Sequence, residues 1–322
     1  MSTTVLQVED LHAFFFTRKG VVKAVDGVSF HVDEGETLGI VGESGCGKTV
    51  TGLSILRLLP EPGGRIVGGK IILEGTDLLA LSKKEMRAYR GKIISMILQD
   101  PMTSLNPVYS IGDQIAEAVR LHQNLPNNMV EQEVVSALRL VRIPAPEMIL
   151  GQHPYQLSGG MRQRVVGAIA MSCHPRLLIA DEPTTALDAT IQAQYIALFK
   201  EIQQKTNVAI MFITHDFGVV GSMCHRVGVM YAGKIVETAS TSELFKAPRH
   251  PYTVALISSV PRLDRKDDRL YSIDGQPPSM MNLPAGCRFR PRCSTALPVC
   301  GEQEPPEAEI GNNHSVSCWR IR

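Results

Sequence analysis

Residues 42–49 read GESGCGKT, set between the apolar pentapeptide TLGIV (37–41) and the run VTGLSILRLL (50–59). The stretch satisfies G-x-x-x-x-G-K-[ST], and its flanks read as a short buried strand followed by a helix, the setting this pattern needs to act as a phosphate loop. Gly42, Gly45 and Gly47 let the backbone wrap tightly enough for successive N–H groups to face phosphate oxygens, helped by the positive end of the following helix. Lys48 is expected to reach the terminal phosphates and Thr49 to hold Mg²⁺ through its hydroxyl. Glu43, Ser44, Cys46 and Val50 complete the expected nucleotide cradle, with Cys46 a small filler in a variable slot.

Further along the chain, LLIAD (177–181) is a nearly continuous apolar run of the kind found when both faces of a parallel sheet are covered. Asp181 closes it, where ligands bind in open α/β sheets, and is placed to organise Mg²⁺. Glu182 comes directly after and is read as the group that polarises the attacking water. Gln99 closes the apolar stretch KIISMIL (92–98) and is expected to link the nucleotide site, through Mg²⁺ or the water, to the helical residues beyond it. His215 ends VAIMFIT (208–214), with a ring nitrogen suited to a γ-phosphate. Ser158, Gly159 and Gly160, in LSGGMRQR (157–164), open a helix and offer a second anion-attracting start. One chain thus carries two phosphate-grade surfaces about 115 residues apart.

The rest of the pattern frames these sites. Strand-like alternation at the N-terminus, at 21–30 and at 70–79 predicts an antiparallel subsheet. From about 104 to 171 apolar residues recur at helical spacing, with Pro126, Pro144 and Pro146 as breaks, which predicts a helical insert. Asp188 is expected to cap a helix with the stripe Ile191, Tyr195, Leu198, Phe199 and Ile202. Further strands are read at 208–214 and 227–233, giving an α/β core. Proline and charge rise after Ala247, and RLDRKDDR (262–269) marks a boundary between residues 1–260 and a small cysteine-rich extension, 261–322.

Composition bounds the function. The 322 residues carry 33 basic and 32 acidic side chains, a net charge of +1, with 44% hydrophobic residues. A disordered chain is excluded, and so is binding that rests on a large overall positive charge. No stretch approaches the roughly 18 uninterrupted apolar residues of a membrane span. Residues 1–10 carry acids and no basic region followed by an apolar run, so no secretory signal is expected.

In this order the motifs resemble those of the nucleotide-binding subunit of ABC transporters. GESGCGKT looks like Walker A, Gln99 the Q-loop, LSGGMRQR the signature, LLIADEP the Walker B with Glu182 as catalytic carboxylate, Ala186-Leu187-Asp188 the D-loop and His215 the switch histidine. The resemblance implies the ABC-type P-loop NTPase fold, and a head-to-tail pair in which Ser158, Gly159 and Gly160 of one subunit close over ATP held by the other. It also implies an aromatic residue stacked on adenine, for which Phe16 is the best match, with Phe14 and Phe15 next. QDPMTSLNP (99–107), HPYQLSGGMRQR (153–164), DEPTTALDATIQAQ (181–194) and APRHPYTVALISSVPR (247–262) are similar to the dipeptide, oligopeptide and nickel importer group. Membership would imply MgATP hydrolysis at the cytoplasmic face of the inner membrane. The implied partners are a second ATPase, expected as a different polypeptide, two transmembrane permease subunits and an extracytoplasmic substrate-binding protein, with no nucleic acid. Peptides are the expected cargo, with nickel complexes or glutathione as alternatives, and a soluble non-transport ABC ATPase as the reading from another class.

Cys287, Cys293, Cys300 and Cys318 crowd the C-terminus. Four converging thiolates would suit zinc or an iron–sulfur cluster, and unliganded thiols or disulfides are the third reading. The resemblance moves this expectation to a [4Fe–4S] cluster, because GCRFRPRC (286–293) is similar to segments that hold one in peptide-importer ATPases. Arg288, Arg290 and Arg292 are then expected to offset the cluster's negative charge.

Overall fold

The structure, a computed structural model, describes residues 3–99, 104–185, 187–260, 272–311 and 313–321. Residues 100–103 after Gln99, Ala186 of the D-loop and the charged run at 262–269 lie outside the described residues. Two compact units divide the chain. The first comprises Met1–Leu6, Val32–Thr37 and Leu73–Phe212, the second Gln7–His31, Leu38–Ile72 and Ile213–Arg322.

The alternating stretches form β1 (Thr4–Thr17) and β2 (Gly20–Asp33), and β4 (Gly64–Leu73) lies on the other side of β1, with most of each strand in the second unit. Leu11 and Ala13 of β1 are buried while His12 between them is half-buried, the period-2 signature of a half-buried strand, and the left-handed Asp10 (φ +45°) shifts that alternation relative to buried Val8. The expected strand at 70–79 begins earlier than its apolar residues suggest, at Gly64, and breaks before the short β5 (Thr76–Asp77). The glycines of GGRIVGG hide its first half from a hydrophobicity reading.

The all-buried β3 (Thr37–Val41) leads through the loop 42–47 into α1 (Lys48–Ile55). From Leu38 to Val41, β3 runs parallel to β9 (Arg226–Tyr231), with Leu38 opposite Arg226 and Val41 opposite Val229. Next comes β10 (Lys234–Ser240), antiparallel to β9 with a register shift between Ile235 and Glu237. The far C-terminus returns to this sheet. β12 (Ser315–Val316) pairs antiparallel with β10, setting Val316 opposite Glu237, and β11 (Ala308–Glu309) pairs with β12. Buried Glu237 accepts the N–H groups of Arg249 and His250 at 2.7 and 2.9 Å and pairs with buried His314 at 2.7 Å. These partners satisfy a carboxyl group that would otherwise be costly to bury.

In the first unit, β6 (Ile94–Ile97), β7 (Leu177–Asp181) and β8 (Ala209–Thr214) lie side by side, β8 passing into the second unit's last segment at Ile213. β6 and β7 are parallel, with Ile97 opposite Ala180. α2 (Lys83–Tyr89) precedes β6, opened by a reciprocal capping box between Ser82 and Glu85. The insert holds α3 (Ile111–His122), α4 (Asn127–Leu140), the one-turn α5 (Pro146–Ile149) and α6 (Gly159–Met171). α3, α4 and α6 pack against one another and α6 also packs on β6. Pro126 stands at the start of α4 and Pro146 in the first turn of α5, where a missing N–H costs nothing. Asp188 caps α7 (Ala189–Thr206), accepting from Thr190 and Ile191 N–H at 3.1 and 3.0 Å. Beyond β8, α8 (Phe217–Met223), α9 (Thr241–Lys246) and α10 (Pro251–Ser258) complete the second unit's helices before residue 261. Among the described residues no helix is long and apolar enough to cross a membrane.

Candidate functional site

The loop at 42–47 has its shape dictated by two glycines. Gly47 has φ +112°, and a Cβ there would stand 2.2 Å from Ala24 O; at Gly42 it would stand 2.1 Å from Met230 O. No L side chain fits either place. Gly47 also begins α1 without a side-chain cap and without an acidic residue in the first turn, so the helix start is left to attract an anion. Ser44 and Gly45 are exposed, and nothing lies within 4 Å of a Cβ built at Gly45. Thr49 and Val50 are half-buried on the first turn.

Lys48 is only 5% exposed. Its Nζ donates to Gly42 O at 2.8 Å and Glu43 O at 3.1 Å, so the ammonium sits inside the loop on the loop's own carbonyls. Cys46 is buried beside it, with Sγ 3.9 Å from Nζ, and its carbonyl accepts Gly233 N–H at 2.8 Å. Burial pushes the Cys46 thiol up, which keeps it protonated and unreactive near neutral pH.

Sequence reasoning does not find the support behind this loop. The Tyr252 hydroxyl accepts Glu43 N–H at 2.9 Å, and Arg292 grips the Glu43 carboxylate with both terminal nitrogens, at 2.6 and 2.9 Å. Tyr231, Tyr252 and Phe289 form one aromatic cluster with ring centroids 4.5, 5.2 and 5.3 Å apart. His250 joins it at 5.8 Å from Phe289. Burial lowers the His250 pKa to about 4, leaving a neutral ring whose Nδ1 accepts Tyr252 N–H at 3.1 Å. The one signal in the sequence is the richness of HPY (250–252) and RFR (288–290) in aromatic and basic residues.

Two other expected residues belong to this unit. His215 is exposed, between the end of β8 and Asp216, which caps α8 through Gly218 N–H at 2.8 Å. Phe16 is 44% exposed near the end of β1, with Arg65 5.5 Å from its ring centre, whereas Phe14 and Phe15 are half-buried.

The first unit gathers Gln99, Asp181 and Glu182. Because Ile97 lies opposite Ala180, two further steps along parallel strands bring Gln99 beside Glu182, and Gln99 Nε2 stands 3.4 Å from Glu182 Oε2. Asp181 is buried at the strand's end. Glu182 has φ +46°, a left-handed conformation that costs a non-glycine residue roughly 1 kcal/mol or more. That turn aims the carboxylate away from the strand. Thr185 Oγ1 donates to the same Oε2 at 3.0 Å, and buried Gln163 donates to Pro183 O from α6. Neither Thr185 nor Gln163 stands out in the sequence, although both sit inside motifs that do. Ser158 caps α6, accepting Met161 N–H at 3.3 Å, and no acidic residue occupies that helix's first turn. Gly159 has open space where a Cβ would be.

The cysteine-rich end departs from expectation. Cys287, Cys293, Cys300 and Cys318 line one recess with His250, Phe289 and Trp319. Yet among the described residues no group of three or more His, Cys, Asp or Glu side chains is placed to hold a metal ion, so neither the iron–sulfur cluster nor zinc stands. The four are free thiols. Burial, reinforced by the neighbouring cysteines, pushes the Cys287 and Cys318 thiols up. The arginines also have other work than offsetting a cluster. Arg288 pairs with Asp26 and donates to Ala232 O at 2.6 Å, and Arg292 pairs with Glu43. Their partners are carboxylates and a carbonyl elsewhere in the second unit.

Comparison with known proteins agrees with this layout. Residues 25–185 match the ABC transporter family model, and residues 236–300 match the oligopeptide/dipeptide transporter C-terminal region. The chain is 52% identical to a probable peptide ABC transporter ATP-binding protein, y4tR, of Sinorhizobium fredii, across 98% of this chain and 94% of that protein. It is 51% identical, at the same coverage, to the dipeptide transport ATP-binding protein DppD of Bacillus subtilis. Among solved structures it is similar to the dimeric post-hydrolysis state of the ATP-binding cassette MJ0796 bound to ADP and Pi. There the TM-score is 0.65 at 21% identity, over 73% of this chain and 98% of that one, a likeness of fold alone.

Proposed function

We propose a role for each of these residues on the ground that the chain belongs to the ATP-binding subunits of ABC transporters, in the peptide and oligopeptide importer family. It is an ATP-hydrolysing subunit coupled to peptide import, and the full-length likeness to peptide-transport ATPases carries that conclusion.

Gly42, Glu43, Ser44, Gly45, Cys46, Gly47, Lys48, Thr49 and Val50 cradle the triphosphate of ATP. The glycine-enforced loop and the uncapped start of α1 support this, since backbone N–H groups and a buried ammonium are what phosphate oxygens need. Lys48 exchanges its loop carbonyls for the terminal phosphates when nucleotide enters. Phe16 stacks on adenine, supported by its exposure.

Thr49 in the second unit, and Gln99 and Asp181 in the first, would each offer Mg²⁺ an oxygen, and hydroxyl, amide and carboxylate oxygens are the hard donors that this ion prefers. When bound, such an ion would supply charge neutralisation to the phosphates. Glu182 orients and polarises the attacking water, supported by its left-handed turn and by the hydrogen bonds from Thr185 and Gln99 that fix one carboxylate oxygen. His215 meets the γ-phosphate from its exposed position past β8. Ser158, Gly159 and Gly160 serve the ATP of a second ATPase subunit, supported by a helix start whose first turn carries no acidic residue.

The importer assembly comprises that second ATPase, a different polypeptide, together with two permease subunits and a substrate-binding protein. This chain sits peripherally at the cytoplasmic face of the membrane. Residues 1–260 form the nucleotide-binding domain, with its helical insert at about 104–171, and 261–322 the extension. Mass spectrometry of proteins that co-purify with the tagged chain from detergent-solubilised native membranes tests the assembly. Recovery of two multispanning permeases and a second ATPase is expected. Recovery of ribosomal or DNA-repair proteins without a permease would overturn it in favour of a soluble ABC ATPase.

A further inference from the structure

Glu43 is held through every polar group it has. Its N–H donates to Tyr252 Oη at 2.9 Å, its carbonyl accepts Lys48 Nζ at 3.1 Å, and its carboxylate takes the two-pronged contact from Arg292. Arg292 is itself locked in place. Its side chain is 3% exposed, its Nε donates to Asp274 O at 3.0 Å, and its guanidinium lies 5.8 Å from the Tyr231 ring centre and 6.0 Å from that of Phe289. The backbone that carries it is a single 3₁₀ turn, Arg290–Arg292, closed by Arg290 N–H on Cys287 O and Arg292 N–H on Phe289 O, both at 3.0 Å. A residue 249 positions away in sequence therefore fixes the second residue of the phosphate loop.

We propose that Arg292 is a positioning residue for nucleotide binding: the cysteine-rich C-terminal segment braces the phosphate loop through Glu43, so that affinity for MgATP depends on how that segment is seated. The proposal rests on reading residues 42–49 as the ATP loop. Two physical effects act in the same direction. An unbraced loop spends part of its time in shapes that cannot bind, and the apparent affinity falls by that fraction. Glu43 without its arginine also leaves an uncompensated carboxylate beside the place where phosphates enter, and like charges at close range repel. Lysine cannot replace the arginine fully, because a point charge lacks the planar fork that meets both carboxylate oxygens. Arg292 touches neither the phosphates nor the water, and acts only through Glu43.

The test is a double-mutant cycle on the full-length chain, read as the Kd for MgATP by titration with a fluorescent ATP analogue and as thermal midpoint, with KM and kcat measured in the assembled complex. Arg292→Ala is expected to weaken binding about tenfold and to raise KM while kcat stays within about twofold. Arg292→Lys should fall between it and wild type. Glu43→Gln combined with Arg292→Ala should be no weaker than Arg292→Ala alone, because the two side chains act as one unit. A folded Arg292→Ala with wild-type Kd, or a lower thermal midpoint with unchanged KM, would reduce the arginine to a structural prop and overturn the proposal. Additive losses in the double variant would do the same. Should Arg292→Ala fail to fold, Arg292→Lys decides the matter by whether its Kd departs from wild type. Lys48→Ala runs alongside: if it loses binding while the Arg292 variants keep it, the brace is wrong and the ATP loop stands. If Lys48→Ala binds normally, the loop assignment and the brace fall together.

Discussion

Glu182→Gln is expected to bind MgATP as tightly as the wild type while its turnover falls about 10²-fold or more, the loss seen when an aligned transition-state group is removed. In free energy that is about 3 kcal/mol of lost transition-state stabilisation. Glutamine keeps the shape of the side chain, and its amide oxygen still accepts the hydrogen bond that Thr185 gives at 3.0 Å, so the turn after β7 survives. What it lacks is the negative charge that draws a proton from water. On the proposed assignment binding is spared, because the phosphates are held by the loop at 42–49 and not by Glu182. The strained φ of +46° makes the same point from the backbone side. A left-handed glutamate costs stability, and the cost is understandable where the chain must turn a carboxylate out of a buried strand. Single-turnover hydrolysis in the assembled complex reads the effect, with a nucleotide titration as control. Near-wild-type turnover would remove Glu182 from the chemistry.

Lys48→Ala is expected to weaken MgATP binding by roughly 10- to 100-fold, the range set by loss of a hydrogen bond to a charged group. The effect is large because the ammonium is already inside the loop and nearly dry, where a charge–phosphate contact is worth more than at the surface. Alanine also leaves the carbonyls of Gly42 and Glu43 without the donor that now stands 2.8 and 3.1 Å from them, so the loop loses internal order as well as its cation. Circular dichroism and thermal midpoint separate that local loss from global unfolding. An unchanged nucleotide Kd in a folded variant would refute the phosphate role of Lys48.

The nucleotide motifs are legible in sequence because the residues that carry them are consecutive, even though the groups that constrain them come from distant positions. Gly42 and Gly47 must be glycine where Met230 O and Ala24 O leave no room for a Cβ, and such a demand shows in eight consecutive residues. LLIAD announces a covered parallel strand, and the acidic pair Asp181–Glu182 at its end is placed by position. Hidden from the sequence is whatever the chain assembles from distant parts. Glu43 with Arg292, Glu237 with His314 and the return of β12 onto β10 join segments that no window of sequence relates. The cysteines mislead for the same reason. Their crowding in the last forty residues looks like a ligand set, but proximity in sequence does not fix the directions of four thiols, and in the fold they stay free. The three arginines between them read as counter-charge for a cluster, whereas two of them answer carboxylates at Asp26 and Glu43.

Whether ATP hydrolysis by this chain drives uptake of peptides is decided by reconstituting the purified complex in proteoliposomes with its binding protein. The quantity to measure is ATP-dependent accumulation of radiolabelled dipeptides and oligopeptides, wild type against Glu182→Gln. Accumulation is expected to require ATP, to be stimulated by the peptide-loaded binding protein and to be lost in the variant. Hydrolysis by the wild type with no peptide accumulation, or accumulation undiminished in Glu182→Gln, would contradict a peptide importer powered through Glu182.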